Sequence, residues 1–295
     1  MNAKVEAPLE TLIKDAWGYA SSIGATHKGL VQAPSFPVLW FGDLERWFKK
    51  PRAKRILTSG VNPGPKTFCK CEEGPNWWGK LTHKSPPELG EYSEALARYM
   101  EFLSERPDDF KWFKSYNPLL EAFGTSFSSG RDSAIHTDIF SPLATVEPWS
   151  RLSRDQQKTL SEQGLALWTR LIRILQPSVV VLSVRNDQWK TIESSLGASQ
   201  IRNVFCTRST KDGNRYPRGR NMRIWIAEAS EPVAMTLVVG NKLANKPFQP
   251  LDHARLSHVG KRAAHILGFA GAPPARAPVE LYEVECRRAV RVGRS

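Results

Sequence analysis

Apolar residues recur along this chain at two alternating periods, and the alternation itself is the first structural signal. Leu9, Leu12, Ile13, Ala16 and Trp17 stand at helical spacing and predict an amphipathic helix over residues 8–22. A short strand from Lys54 to Ser59 then runs into Gly60-Val61-Asn62-Pro63-Gly64-Pro65, a segment that can neither continue a strand nor begin a helix. Helical patterns from Glu91 to Leu103 and from Pro118 to Phe123 precede a second strand, Ala134 to Phe140, closed by Ser141-Pro142. Ser153 and Gln156 fit a capping box, and Leu160, Leu167, Trp168, Leu171, Ile172 and Leu175 mark one face of the long helix that it opens. Gln176-Pro177 ends that helix, and Val179 to Val184 follows as the continuous apolar run of a buried parallel strand. A helix around Gln188 to Leu196 leads to strands at Val204–Ser209 and Arg223–Ala227, then a last strand at Met235–Val239 and a closing helix at Leu256–Leu267.

Strands that alternate with helices predict an α/β fold, with three α/β/α layers around a short, mainly parallel sheet. Ligands of such a sheet bind beyond the carboxyl ends of its strands, so the loops at Gly60–Pro65, Thr137–Pro142, Ser183–Asp187 and Gly240–His253 are expected on one rim. Residues 1–267 read as one domain. Residues 268–295 read as a Pro/Ala-rich linker, Gly271-Ala272-Pro273-Pro274-Ala275, and a basic tail with Arg287, Arg288, Arg291 and Arg294.

Charge sharpens the picture. Of the 42 Lys+Arg and 29 Asp+Glu of this 295-residue chain, residues 1–150 hold 18 of each, so the whole net charge of +13 falls in residues 151–295. A one-sided excess of this kind points to a polyanion as partner, most often nucleic acid. The longest aliphatic run, Val179-Val180-Val181-Leu182, is far short of the roughly 20 residues that cross a bilayer. Lys4, Glu6, Glu10 and Lys14 interrupt the N-terminus, so it does not read as a secretion signal. The expectation is a cytoplasmic monomer without membrane contact, associated with the nucleoid in a prokaryotic cell. Cys69, Cys71, Cys206 and Cys286 do not form a disulfide framework.

The segment Ile56-Leu57-Thr58-Ser59-Gly60-Val61-Asn62-Pro63-Gly64-Pro65 resembles the first motif of the uracil-DNA glycosylase superfamily, in its mismatch-specific and single-strand-selective branches, whose pattern is Gly-x-Asn-Pro-Gly. The stretch from Leu165 to Val184 resembles the corresponding helix-Pro-strand passage of that fold, and the likeness extends over residues 50–267. It implies that Asn62 holds the attacking water, with Gly60 and Pro63 shaping the base pocket. The chemistry is consistent. Hydrolysis of an N-glycosidic bond passes through an oxocarbenium-like sugar and needs a placed water and a stabilised departing base. An asparagine can hold that water, but lacks the basicity of a carboxylate. The same residues also suit a tight turn after a strand.

At the end of the second strand the family supplies an Asn that reads the uracil edge. Alignment by strand position puts Asp138 there, in Ile135-His136-Thr137-Asp138-Ile139-Phe140. A carboxylate only accepts hydrogen bonds: it opposes uracil O4 and accepts from the exocyclic amine of a cytosine. The departure implies a modified, cytosine-type base; the alternative is that Asp138 or Thr137 caps the next loop.

The resemblance further implies Phe68 as the ring that stacks on the flipped base, with Trp77-Trp78 nearby. The His-Pro-Ser element of the family is absent. His253 is the candidate for assisting the departing base, with His258 as competitor, and Leu243 is a candidate wedge between Lys242 and Lys246. Arg208, Lys211, Arg215, Arg218 and Arg220 form a basic loop suited, with Lys242, Lys246 and Arg255, to phosphate contact. Some relatives carry a four-Cys iron–sulfur cluster; the spacing here does not match, so neither metal nor other cofactor is expected.

The sequence thus reads as a monofunctional DNA glycosylase that leaves an abasic site, in repair or in defence against phage DNA with modified bases. A nucleic-acid-binding protein that keeps the fold for recognition, with weak catalysis, is the alternative. A nucleotide-processing enzyme for small molecules leaves the basic half poorly explained.

Overall fold

Six strands make one sheet in the order β2-β1-β3-β6-β5-β4. They are β1 (Ile56–Gly60), β2 (Ile135–Asp138), β3 (Val179–Val184), β4 (Ser199–Cys206), β5 (Arg223–Ala229) and β6 (Met235–Asn241). β2, β1, β3 and β6 run parallel, and β5 and β4 complete the sheet antiparallel. The computed structural model describes residues 3–32, 35–64, 85–105, 107–127, 134–206, 222–242, 246–249 and 251–269.

Helices cover both faces, which gives the expected three-layer α/β/α architecture. The first face carries α1 (Ala3–Thr26), α6 (Arg154–Leu175) and α7 (Asn186–Leu196). Trp168 of α6 donates to the Thr137 hydroxyl on this face (3.0 Å), Tyr19 of α1 donates to the Leu160 carbonyl (3.0 Å), and Trp189 of α7 meets Trp225 edge-on. The second face carries α4 (Pro107–Lys114), α5 (Asn117–Leu120) and α8 (His253–Ile266), between which Tyr116 is fully buried. α2 (Leu44–Lys49) and α3 (Leu89–Ser104) flank these layers. Every residue of β1 and β3 is buried, as a strand covered on both faces requires. Phe41 pairs with His136 along the outer side of β2, exchanging both backbone hydrogen bonds.

The capping box is present: Ser153 accepts from the Gln156 amide and Gln156 accepts from the Ser153 amide. α6 ends at Gln176 in the left-handed conformation (φ 48°), and Pro177 prevents its continuation. α1 starts five residues ahead of its expected boundary, with Pro8 inside it; one missing backbone donor near a helix start is tolerated when Leu9, Leu12, Ile13, Ala16 and Trp17 bury a whole face. β4 likewise starts at Ser199 rather than Val204. Residues 199–202 are exposed on the sheet edge and carry no apolar alternation, and the register slips there between Gln200 and Arg202.

Candidate functional site

Strand register brings the site together. Gly60 pairs with Asp138, and Ser183 with Gly240, at the carboxyl ends of the parallel strands. Ser59 pairs with Leu182, so Gly60 and Ser183 stand side by side. Asp138, Gly60, Ser183 and Gly240 therefore form one row across four strands and share the second face. The next residues on that face, two positions on, are Arg185 and Lys242; the Lys242 amide donates to Val184 O (2.7 Å), which extends the β3–β6 ladder to its level, while Asn62 lies in the bend that follows β1. Loops that the sequence placed on one rim do share it.

Both glycines in the row make room for side chains that cross them. A Cβ on Gly60 would lie 2.5 Å from Asp138 Oδ1 and 3.1 Å from His136 Nε2. A Cβ on Gly240 would lie 2.6 Å from the ring of Phe248. Phe248 has a positive φ of 57° and is fully buried; its amide donates to the Ser183 hydroxyl (3.1 Å). The chain after β6 is thereby pinned back onto the sheet.

Asp138 is buried and lies in a polar line. The Thr58 hydroxyl is 2.8 Å from His136 Nδ1, and His136 Nε2 is 3.6 Å from Asp138 Oδ1. When Thr58 donates to Nδ1, the imidazole carries its proton on Nε2 and presents it to the carboxylate, at a distance longer than a hydrogen bond. Aromatic rings enclose the imidazole: Trp112 at 4.8 Å, Phe113 at 5.4 Å, Phe41 at 5.9 Å, Tyr116 at 6.1 Å and Phe127 at 6.5 Å between centroids. Such a cage excludes water and holds the ring plane. Tyr116 reaches Ser59 O through its hydroxyl (3.4 Å), and burial, reinforced by the Asp138 charge, holds its phenol well above the usual range.

Asn62 is half-buried just beyond β1. Its amide nitrogen donates to Pro63 O (2.9 Å) and to Thr145 Oγ1 (3.0 Å), with Leu143 O further off at 3.5 Å. Thr145 in turn donates to Glu147 O (2.6 Å), so its oxygen is fixed as the acceptor. Both amide hydrogens of Asn62 are committed, and its side-chain oxygen accepts no hydrogen bond from the described residues. The carboxamide is thus held in one orientation, with its oxygen open to a donor as far as the described residues go.

Lys242 is half-buried at the end of β6. Desolvation, then the neighbouring Arg185, lowers its affinity for a proton, and the Asp138 carboxylate works against both. Arg185 is itself paired with Asp187 in a two-point contact (3.0 and 2.7 Å), which holds the Asp187 carboxyl below its ordinary range.

The remaining expected residues are less well joined. Pro63 is buried beside Asn62, and Lys246 is exposed in the turn that carries Phe248. His253 is exposed in the first turn of α8; among the described residues no hydrogen bond or ion pair ties it to Asn62, Asp138 or Lys242. Asp252 caps that helix by accepting from the Arg255 amide (2.8 Å), and its other oxygen is 3.6 Å from the Arg255 guanidinium. His258 is half-buried within α8. Phe68, Trp77, Trp78, Leu243, the basic residues Arg208, Lys211, Arg215, Arg218 and Arg220, and Cys69, Cys71 and Cys286 lie outside the described residues.

Sequence reading missed His136, Thr58, Tyr116, Phe248 and the inward placement of Lys242. His136 was visible two residues before Asp138, hence on the same strand face; the cage around it comes from segments scattered over the chain. Among the described residues no group of three or more His, Cys, Asp and Glu is placed to hold a metal, and no helix is long and apolar enough to cross a membrane. A cleft of about 640 Å³ lined by Val5, Phe48, Arg55, Ile174 and Gln176 lies at the opposite end of the sheet. Arg55 there donates to Lys50 O, Leu175 O and Phe48 O, tying helix ends together rather than awaiting a ligand. No protein-family model matches the chain, and no curated protein matches it.

Proposed function

We propose that this chain is a monofunctional DNA glycosylase of the uracil-DNA glycosylase superfamily that removes a cytosine-type, modified base and leaves an abasic site. One observation carries the reading: Asn62 and Asp138 stand at the carboxyl ends of adjacent parallel strands, the first an oriented acceptor and the second a buried carboxylate laid across Gly60. The two positions correspond to those at which the superfamily holds its water and reads its base.

The chemistry follows from the side chains. The Asn62 oxygen accepts a hydrogen bond from water, leaving the water's lone pair free for C1′ as the sugar becomes cationic. Asp138 accepts from the exocyclic amine of a flipped base. A buried acceptor discriminates strongly against a base without that donor, because the carboxylate would be left unpaired. The basic residues of the second half serve as the grip on phosphate, which makes affinity steeply salt-dependent. A monomer acting on DNA in the cytoplasm or nucleoid is part of the same proposal.

The test uses the protein and its Asn62→Ala variant on single- and double-stranded DNA carrying uracil, cytosine or 5-substituted cytosines, with alkali to cleave abasic sites. Abasic product that falls by about 10²–10⁴-fold in the variant is the expected result. Salt-sensitive binding with no abasic product from any substrate would instead identify a binding protein.

A further inference from the structure

Building on that reading, we infer that Lys242 supplies the positive charge that holds the departing base as it takes up the bond electrons, the role that the sequence offered to His253. The geometry rests on strand alternation. Gly240 faces the side of the sheet that carries Gly60 and Asp138, Asn241 faces away, and Lys242, kept in register by its hydrogen bond to Val184 O, faces the site again.

Placement across the sheet suits a pyrimidine. β2 and β6 are separated by β1 and β3 and Lys242 lies two residues beyond the Asp138 row, so the backbones at Asp138 and Lys242 stand roughly 16 Å apart at the usual strand spacing and rise. Asp138 leans over Gly60 from one side, and Lys242 enters from the other. A cytosine-type base carries its C4 amine and its O2 at the two ends of one edge, either side of N3. A carboxylate that accepts from the C4 amine at one end of that edge leaves O2, at the other end, for the lysine. Arg185 stands beside Lys242 just beyond the next strand and is already engaged by Asp187, so among the described residues at this level the lysine is the cation without a carboxylate bound to it. His253, exposed on α8, acts through water, where a charge is worth far less.

The step balances without a further reactant. Water oxygen bonds C1′ and its proton passes to bulk water; the C1′–N bond breaks with both electrons going to the base. The base leaves as an anion paired with the Lys242 ammonium, and takes its proton from water after departure.

Loss of this charge must weigh most on poor leaving groups, and that sets the experiment. Single-turnover excision is measured for wild type, Lys242→Met, Lys242→Arg and His253→Gln on single-stranded oligonucleotides carrying cytosine, 5-methylcytosine or 5-fluorocytosine, with melting temperatures recorded for each protein. Lys242→Met is expected to lose about 10²–10³-fold on 5-methylcytosine and distinctly less on 5-fluorocytosine, with Lys242→Arg recovering most of the loss. The inference is overturned by Lys242→Met at wild-type rate, by an equal loss on every base, or by His253→Gln showing the larger loss. A borohydride-trapped adduct that disappears in Lys242→Met also overturns it, by making the lysine a nucleophile. Wild type that leaves no abasic site on these bases or on uracil overturns the glycosylase reading itself; an active wild type with an unaffected lysine variant overturns the role of Lys242 alone.

Discussion

The carboxylate of Asp138 lies across Gly60, with Oδ1 2.5 Å from the place where a β-carbon would be. Two neighbouring strand ends are in this way fitted to each other: the residue before the Val61-Asn62-Pro63 turn has no side chain because the residue beside it needs the space.

Gly60→Ala is therefore expected to push Asp138 and His136 apart. Overpacking of this kind costs about 1–3 kcal/mol. Displacement of the carboxylate by a fraction of its own length should reduce excision by about 100-fold. Thermal melting and single-turnover assays of the variant separate the two effects; a variant that melts lower yet excises normally would show that Asp138 has no part in the chemistry.

Exchange of the carboxylate for an amide changes the pattern of donors and acceptors without changing shape. Asp138→Asn can donate to uracil O4 and accept from N3, so its preference should move from cytosine-type bases toward uracil. Competition between the two bases within one oligonucleotide reads this directly. Unchanged preference would dissociate Asp138 from base reading.

His136 is a positioning residue, since it acts on the base only through Asp138. His136→Phe keeps the aromatic packing but leaves the buried Thr58 hydroxyl without its partner at 2.8 Å, a cost of about 1–3 kcal/mol. Beyond that cost, the loosened Asp138 should narrow the difference in rate between cytosine-type bases and uracil. A merely destabilised enzyme would lose rate on both alike, so the ratio of the two rates is the decisive measurement.

Alkaline stability follows from three buried phenols. Burial pushes the Tyr19 hydroxyl from 10.0 up to about 12, and it raises Tyr92 and Tyr116 further. Between the unfolded and folded values the unfolded chain binds fewer protons, so stability falls as pH rises. The contribution of Tyr19 is complete below pH 10 and lost as pH climbs through about 12. Three of the six tyrosines should thus ionise only on unfolding, which phenolate absorbance followed alongside circular dichroism will show as coincident transitions.

Much of the fold was legible in the sequence because it is written locally. The Ser153–Gln156 cap, the helix stop at Gln176-Pro177 and the aliphatic run at Val179–Val184 each act within a few residues, and all three stand where expected. The edge strand β4 was half hidden because an exposed strand needs no apolar alternation, and α2, at six residues, is too short to display a period. Asp138 was readable as the last residue of its strand and Asn62 as part of the turn that follows β1. What the sequence determined by itself, then, was the order of elements, the rim to which their loops belong and the asymmetry of charge. Tertiary structure alone decided that Asp138 crosses Gly60, that rings from Phe41, Trp112, Phe113, Tyr116 and Phe127 enclose His136, and that Lys242 is half-buried beyond β6 while His253 is exposed. Those facts depend on strand order and register, which pair residues separated by dozens of positions, and no local pattern of apolar and polar residues encodes which distant segment a side chain will meet.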